Sequence, residues 1–487
     1  MKREDIYNGI TDIDDGLIDG AAAKKKRRSP ARFWVPAVAA VLALAVGLTA
    51  LWPGGGPVNE PPAYSPAPGG TVRTLAAAVD PEQAPYVDWR EDEEGLEAWN
   101  RQERARREAL ADYNGELDGF FSRVMGQFLT GEKGKNKVVS PLNLYMALAM
   151  LAETTDGESR GQILGLLGVE STQALREQVD AVWKGTYRND GVAATVLANS
   201  LWQREDMEYV QSTMDTLAED YHASSFQGTM GSEAMDQALR DWINEQTAGL
   251  LEEQAQGLYL HRDTVLALAS TVYFKDMWDQ KFLEENTEPG VFHAPGGDVE
   301  RDFLHQTLPD EAVYRGSRFT AVRKWFGNKD GWMWLILPDK GVPPEKLAGD
   351  EEVAQLLSGA WSGPDGEHWK RAKIELSMPK FDISADAELS EGLKALGVTD
   401  VFDDKLADFS PMLGEGAEAW VGQVDHAARV TVDEKGCTGA AYTVIAVYGS
   451  AGPAEREKVV FTLDRPFLFA VQNSAKLTLF AGVVNEP

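Results

Sequence analysis

Between positions 437 and 454, eighteen consecutive residues carry no charge, yet their glycine, threonine, serine and proline content is too polar for a lipid bilayer. Alternation gives them two faces: Cys437, Gly439, Ala441, Thr443, Ile445 and Val447 on one, and Thr438, Ala440, Tyr442, Val444, Ala446 and Tyr448 on the other. Small and β-branched side chains of this kind suit a strand buried within a sheet. Gly449-Ser-Ala-Gly-Pro453 then breaks the pattern as an exposed loop does. Periodicity leaves two readings open: a permanent central strand, or a segment that is loop in one state and strand in another.

The flanking sequence sets the fold class. Residues 117–129 and 142–152 have apolar positions at helical spacing, and Ser140-Pro141 is a helix-start signal. Later the period changes to two. Residues 265–274 are nearly continuously apolar, 374–378 and 429–433 alternate, and 459–463, 467–471 and 477–484 read as strands. Helices early and strands late predict an α+β fold with large antiparallel or mixed sheets. Cys437 is the sole cysteine, which excludes an intramolecular disulfide and a cysteine-based zinc site, so packing has to supply stability. The net charge of −30, from 77 acidic and 47 basic residues, argues against nucleic acid and polyanionic polysaccharide as partners.

Residues 33–52 are twenty in a row without a charge, enough at about 1.5 Å per residue to cross a hydrocarbon core of about 30 Å. Trp34 and Trp52 stand at the two ends, where interfacial aromatics are expected. Lys24, Lys25, Lys26, Arg27, Arg28 and Arg32 precede the segment, and no base follows until Arg73. The expectation is a single-pass membrane anchor with residues 1–32 cytoplasmic and everything beyond it extracellular. A cleaved signal peptide is the competing reading, but its leader would be long and acid-rich, and residues 49–52 lack a small-x-small site. Residues 53–111 read as a Pro/Gly-rich linker followed by a charged helical spacer with a solvated face, and residues 112–487 as one globular domain.

Catalytic signatures are weak. Gly157-Glu-Ser-Arg-Gly161 matches a nucleophile elbow, the basis of an alternative reading as a membrane-tethered hydrolase using Ser159. That elbow needs a hydrophobic strand before it, whereas residues 146–151 read as helix and 153–156 as a polar turn. The six histidines show no metal-ligand spacing, and Gly414-Glu-Gly-Ala-Glu-Ala419 lacks the strand a dinucleotide fingerprint requires. No metal, cofactor or catalytic residue is assigned.

Val432-Asp-Glu-Lys-Gly-Cys-Thr-Gly-Ala-Ala-Tyr-Thr443 resembles the hinge of the serpins, the serine protease inhibitors. Asp464-Arg-Pro-Phe-Leu-Phe469 and Leu479-Phe-Ala-Gly-Val-Val-Asn-Glu-Pro487 are similar to that family's C-terminal strands. Val138-Val-Ser-Pro-Leu142, Trp242-Ile-Asn-Glu-Gln-Thr-Ala-Gly249 and Thr271-Val-Tyr-Phe-Lys275 with Trp278 match in order upstream. So do Pro379-Lys-Phe381, Leu396-Gly-Val398 and Ala407-Asp-Phe-Ser410. The matches run collinearly from about Asp112 to Pro487 and resemble a bacterial, membrane-anchored serpin.

The resemblance implies three β-sheets, about eight to nine helices and an exposed reactive-centre loop. It implies a suicide substrate for serine or cysteine proteases: the target attacks the loop, and the cut loop inserts into the main sheet before the acyl-enzyme is hydrolysed. A strand of about 14 residues at roughly 3.3 Å each carries the enzyme some 45 Å and distorts its oxyanion hole. Glu434, Gly436, Cys437, Thr438, Gly439, Ala440 and Ala441 would form the hinge, with Trp278 where insertion begins and Ser140, Asn143 and His426 where the sheet parts. Sixteen residues beyond Glu434 lies Ser450, which makes Ser450–Ala451 the expected reactive bond and favours elastase-like or subtilisin-like targets. Tyr448, Gly449 and Arg456 are the alternatives, because the stretch to Pro466 is longer than usual. A serpin fold used only for binding is the rival within the family. Cys437, Gly439, Asn143, Ser270, Asp276 and Leu250 depart from the family's usual residues.

Overall fold

The computed structural model describes residues 41–45, 72–78, 83–87, 92–113, 115–131, 133–359, 368–416, 418–437 and 456–487. Its strands, in chain order, are β1 (Val41–Ala45), β2 (Arg73–Ala76), β3 (Lys137–Val139), β4 (Arg188–Asn189), β5 (Ala194–Arg204), β6 (Ala223–Gly228), β7 (Leu266–Met277), β8 (Glu288–Ala294) and β9 (Gly297–Arg315). There follow β10 (Phe319–Trp325), β11 (Gly331–Pro338), β12 (Trp369–Pro379), β13 (Phe381–Glu388), β14 (Asp425–Val432), β15 (Gly436–Cys437), β16 (Lys458–Thr462), β17 (Phe467–Asn473) and β18 (Thr478–Val484).

The main sheet pairs β13 with β14 on one side and runs β7–β5–β6–β2 on the other, with β4 on β5. Between β14 and β7 lie β15 at one end and β1 at the other. The long apolar run read from the sequence is β7, an inner strand antiparallel to β5 over ten register pairs. Its uniform hydrophobicity follows from being covered on both faces. The second sheet has the order β16–β12–β9–β10–β11–β17–β18–β3, with β8 on β9. β17 and β18 are buried along their whole length, which accounts for the dense apolar C-terminus.

Among the described residues the strands form two sheets, where three were expected. β9 is nineteen residues long, pairing with β8 at its start and β10 at its end, and β12 follows it through a register shift between Ala372 and Ile374. Shared long strands fuse what would otherwise be two smaller sheets. Helices number twelve among the described residues, against eight to nine. Three of these are single turns of four residues, at Glu252–Ala255, Glu345–Ala348 and Ser410–Leu413, below the length that periodicity can register. The helix Pro141–Thr154 starts where Ser140-Pro141 indicated, with the Ser140 hydroxyl accepting from the Asn143 N–H at 3.2 Å and proline at the first turn.

Ahead of the globular domain, the described residues include a strand and a helix. Helix α1 (Glu93–Ala109) is capped by Asp92, whose carboxylate accepts from the Gly95 N–H at 2.9 Å, with Glu93 and Glu94 in its first turn and Arg106 and Arg107 in its last. Trp99, Glu103 and Arg106 share one helical face and are buried against the body, which corrects the expectation of a solvated face. β2 extends the main sheet beyond β6. Of the predicted membrane span 33–52, only β1 is described, and there the backbone is extended; the other positions lie outside the described residues. Among the described residues no helix is long and apolar enough to cross a membrane.

Candidate functional site: a hinge at the mouth of the main sheet

β7 and β14 point the same way, because β15 runs antiparallel to both. Gly436 and Cys437 face Met277 and Asp276 of β7, and Cys437 also faces Val432 of β14. The hinge therefore begins as a strand seated between them. A tight turn folds it in: the Asp433 carboxylate accepts from the N–H groups of Lys435 at 2.7 Å and Gly436 at 3.0 Å. Glycine is required at 436, since a Cβ there would lie 2.2 Å from the Asp276 carbonyl oxygen.

Trp278 holds this turn. Its indole N–H donates to the Asp433 carbonyl at 2.9 Å, and its backbone N–H to the Lys435 carbonyl at 3.0 Å. Its ring stacks on Phe326 at 5.0 Å and meets Phe282 edge-on. Glu434 is ion-paired with Lys380 at 3.1 Å and accepts from the Thr287 hydroxyl at 2.9 Å. Burial pushes its carboxyl up, but these donors and its own backbone N–H outweigh burial and hold it below the usual range.

Lys324 is the least expected member. It lies over the rings of Trp278 at 5.6 Å and Phe282 at 4.7 Å, and donates to Gln306 and the Gln280 carbonyl. Burial pushes its ammonium down to about 7. Cys437 is 1% exposed and burial raises its thiol, so the hinge sulfur is protonated and shielded at neutral pH.

Deeper in the sheet, the Ser140 N–H donates to His426 Nε2 at 3.1 Å, joining the helix Pro141–Thr154 to β14. His426 is fully buried, and desolvation pushes its imidazole down to about 4, so it is neutral at pH 7. Asn143 is buried one turn into the same helix. The structure thus brings Glu434, Gly436, Cys437 and Trp278 together at one end of the β7–β14 slot, and Ser140, Asn143 and His426 further along it. Thr438, Gly439, Ala440, Ala441, Tyr448, Gly449, Ser450 and Ala451 lie outside the described residues.

Arg456 is described just before β16, and its guanidinium is held by Asp310 at 2.9 Å, a carboxylate that also holds Arg371. Ser159 is wholly buried inside the helix Gly157–Leu167; its hydroxyl accepts from the Asp408 N–H at 3.2 Å and donates to the Leu406 carbonyl at 3.4 Å. It occupies no elbow and faces no solvent, so a hydrolase built on it has no geometric basis. Sequence reasoning missed Asp433, Thr287, Lys324 and Lys380. The Asp-x-x-Gly spacing of 433–436 was a turn signal for the first. Lys324, one of two adjacent bases in the otherwise largely apolar β10, carried no signal.

A family model described as serpin (serine protease inhibitor) matches residues 117–487. A putative serpin-Z12 of Oryza sativa subsp. japonica is 30% identical over 387 residues, covering 73% of this chain and 86% of the relative. Plasminogen activator inhibitor 1 of Sus scrofa is 27% identical over 383 residues, covering 76% and 91%. Among solved structures, the native state of tengpin, a thermophilic serpin, superposes with a TM-score of 0.67 over 77% of this chain and 94% of that one, at 22% identity. With β3 to β18, the hinge and both ends of the loop inside the matched region, this chain belongs to the serpin family.

Proposed function

We propose that this serpin is an extracellular, membrane-tethered inhibitor that traps serine or cysteine proteases when its cut loop enters the slot between β7 and β14. As a serpin it is a protease inhibitor and not an enzyme. One observation carries the reading: Gly436 and Cys437 already pair in the slot, antiparallel to both neighbours, in the direction a following strand would extend. The residues that would follow are small and uncharged, so threading them between packed strands buries no charge. A serpin used only for binding has no need of such a hinge. The reactive bond assigned is Ser450–Ala451, with an elastase-like or subtilisin-like target. The hold of Asp310 on Arg456 favours an upstream bond over cleavage at Arg456.

Tethering rests on the twenty uncharged residues 33–52 with basic residues on one flank only. A helix in lipid and a strand beside β7 both satisfy the backbone of residues 41–45, but they exclude each other, and β1 competes for the slot that the loop needs.

Incubation with elastase and subtilisin should give a covalent complex that survives a denaturing gel, with a released peptide beginning at Ala451. Gly439→Pro should convert the chain into a plain substrate, because the ring obstructs strand pairing. Complete cleavage without complex across a broad protease panel would refute inhibition. In cells, the full chain should stay with membranes after alkaline washing, and a variant lacking residues 33–52 should not; equal extraction of both would refute the anchor.

His426 yields a pH prediction. Its folded pKa, about 4, lies below its unfolded value near 6.5, so the unfolded state takes up a proton first as pH falls. Its contribution to native stability is complete above about 6.5 and is lost as pH falls towards 4. Unfolding free energies from urea titrations of the parent and His426→Gln should therefore converge across that window, by up to on the order of 3 kcal/mol. A pH-independent gap between them would contradict the buried neutral imidazole.

A further inference from the structure

The slot between β7 and β14 takes its two occupants from distant parts of the chain. β15 fills the mouth, and β1 (Val41–Ala45) lies further in, parallel to both walls. Ala43 is shared between the walls, facing Ala427 of β14 and Thr271 of β7. Val41 and Leu42 face Asp425 and His426, and Leu44 and Ala45 face Val272 and Tyr273.

The register fixes which loop residues would need the same places. A strand continuing from Cys437 is antiparallel to both walls, so it advances one residue as each wall retreats by one. Counted from Val432 on β14, Tyr442 would arrive at Ala427; counted from Asp276 on β7, it would arrive at Thr271. Those are the two partners of Ala43, so both walls give the same answer. Val41 to Ala45 thus hold the positions of Val444 to Ala440, with the direction reversed. Only Thr438 and Gly439 could enter ahead of them. Val-Leu-Ala-Leu-Ala and Ala-Ala-Tyr-Thr-Val are alike in carrying no charge, which a strand buried between two others requires.

β1 cannot serve two sites at once. It lies in the middle of the uncharged run 33–52, and a helix across about 30 Å of hydrocarbon takes about 20 residues, which leaves none of that run for the slot. Ladder length decides what β1 does to the loop. It pairs three residues with each wall, whereas an inserted strand of about 14 residues at roughly 3.3 Å each pairs along the whole slot. The longer ladder wins at equilibrium, so β1 delays entry without forbidding it. Delay is enough, because the acyl-enzyme is open to hydrolysis until the loop is in.

We propose that β1 is an autoinhibitory strand, and that withdrawal of residues 33–52 into a lipid bilayer clears the slot. The chain then traps proteases at a membrane and is cleaved mostly as a plain substrate away from one. This rests on the readings that the cut loop inserts between β7 and β14 and that residues 33–52 span a membrane.

The test counts chains cleaved per elastase trapped, on a denaturing gel, for the full chain in lipid-free buffer and in unilamellar vesicles of phosphatidylcholine and phosphatidylglycerol. Moving the parent into vesicles should lower the count at least about tenfold, as a loop-entry barrier smaller by about 1.4 kcal/mol would give. Ala43→Pro lacks an N–H and breaks the ladder at the shared residue, so it should give the low count already in buffer. Equal counts for parent and variant in buffer overturn the proposal. So does a parent count that stays high in vesicles while the variant's is low, since β1 then blocks without being released. A parent that fails to float with vesicles on a density gradient removes the anchor, and the release with it. Should Ala43→Pro fail to fold, the parent decides alone: equal counts in buffer and vesicles overturn the proposal, and a tenfold difference supports it. If the loops of parent and variant are cut in both settings with no complex and no gain in resistance to urea, insertion itself has failed and the proposal falls with it. Resistance gained by the cut variant, with no effect of β1 on the count, leaves insertion standing and overturns only the autoinhibitory strand.

Discussion

Two parallel strands, β7 and β14, are not joined to each other by hydrogen bonds among the described residues; what joins them is whatever lies in between. Each buried backbone N–H or C=O left without a partner costs about 1–3 kcal/mol, so a slot of this kind favours any strand able to fill it. The hinge exploits that preference at one end. It pairs there through Gly436 and Cys437. The same constraint gives the fold a direction in which it gains stability, and a serpin converts that gain into mechanical displacement of its target.

The groups around the slot differ in kind along its length. At the mouth, aromatic stacking, the Asp433 turn and the Glu434–Lys380 pair hold the hinge at its entry, with glycine at the closest approach. Further in, one neutral hydrogen bond from Ser140 to His426 locks helix to strand. To one side, a buried ionic cluster joins the β4–β5 end of the main sheet to α1. A neutral bond is easily exchanged, whereas an ionic cluster resists partial disruption.

Much of this was legible in the sequence. Period-two alternation marked β12, β14 and the C-terminal strands, a nearly unbroken apolar run marked β7, and Ser140-Pro141 marked its helix. The hinge was named through its resemblance to the serpins, since its small, uncharged residues by themselves left a permanent central strand open. What stayed hidden depends on tertiary proximity. Arg106 reads as one more charge in a solvated helix until Asp330, more than two hundred residues away, receives it. Lys324 looks like a surface base on a strand until Trp278 and Phe282 cover it. The fusion of two sheets into one follows from the length of β9, and periodicity gives no sheet membership.

The central claim is that the segment beyond Cys437 becomes a strand between β7 and β14. The most direct measurement is a crystal structure of the chain after a single cut within residues 448–451. The account predicts a continuous strand running on from Gly436–Cys437, antiparallel to β7 and β14 and reaching past His426. A cut chain in which that segment stays outside the sheet would contradict it.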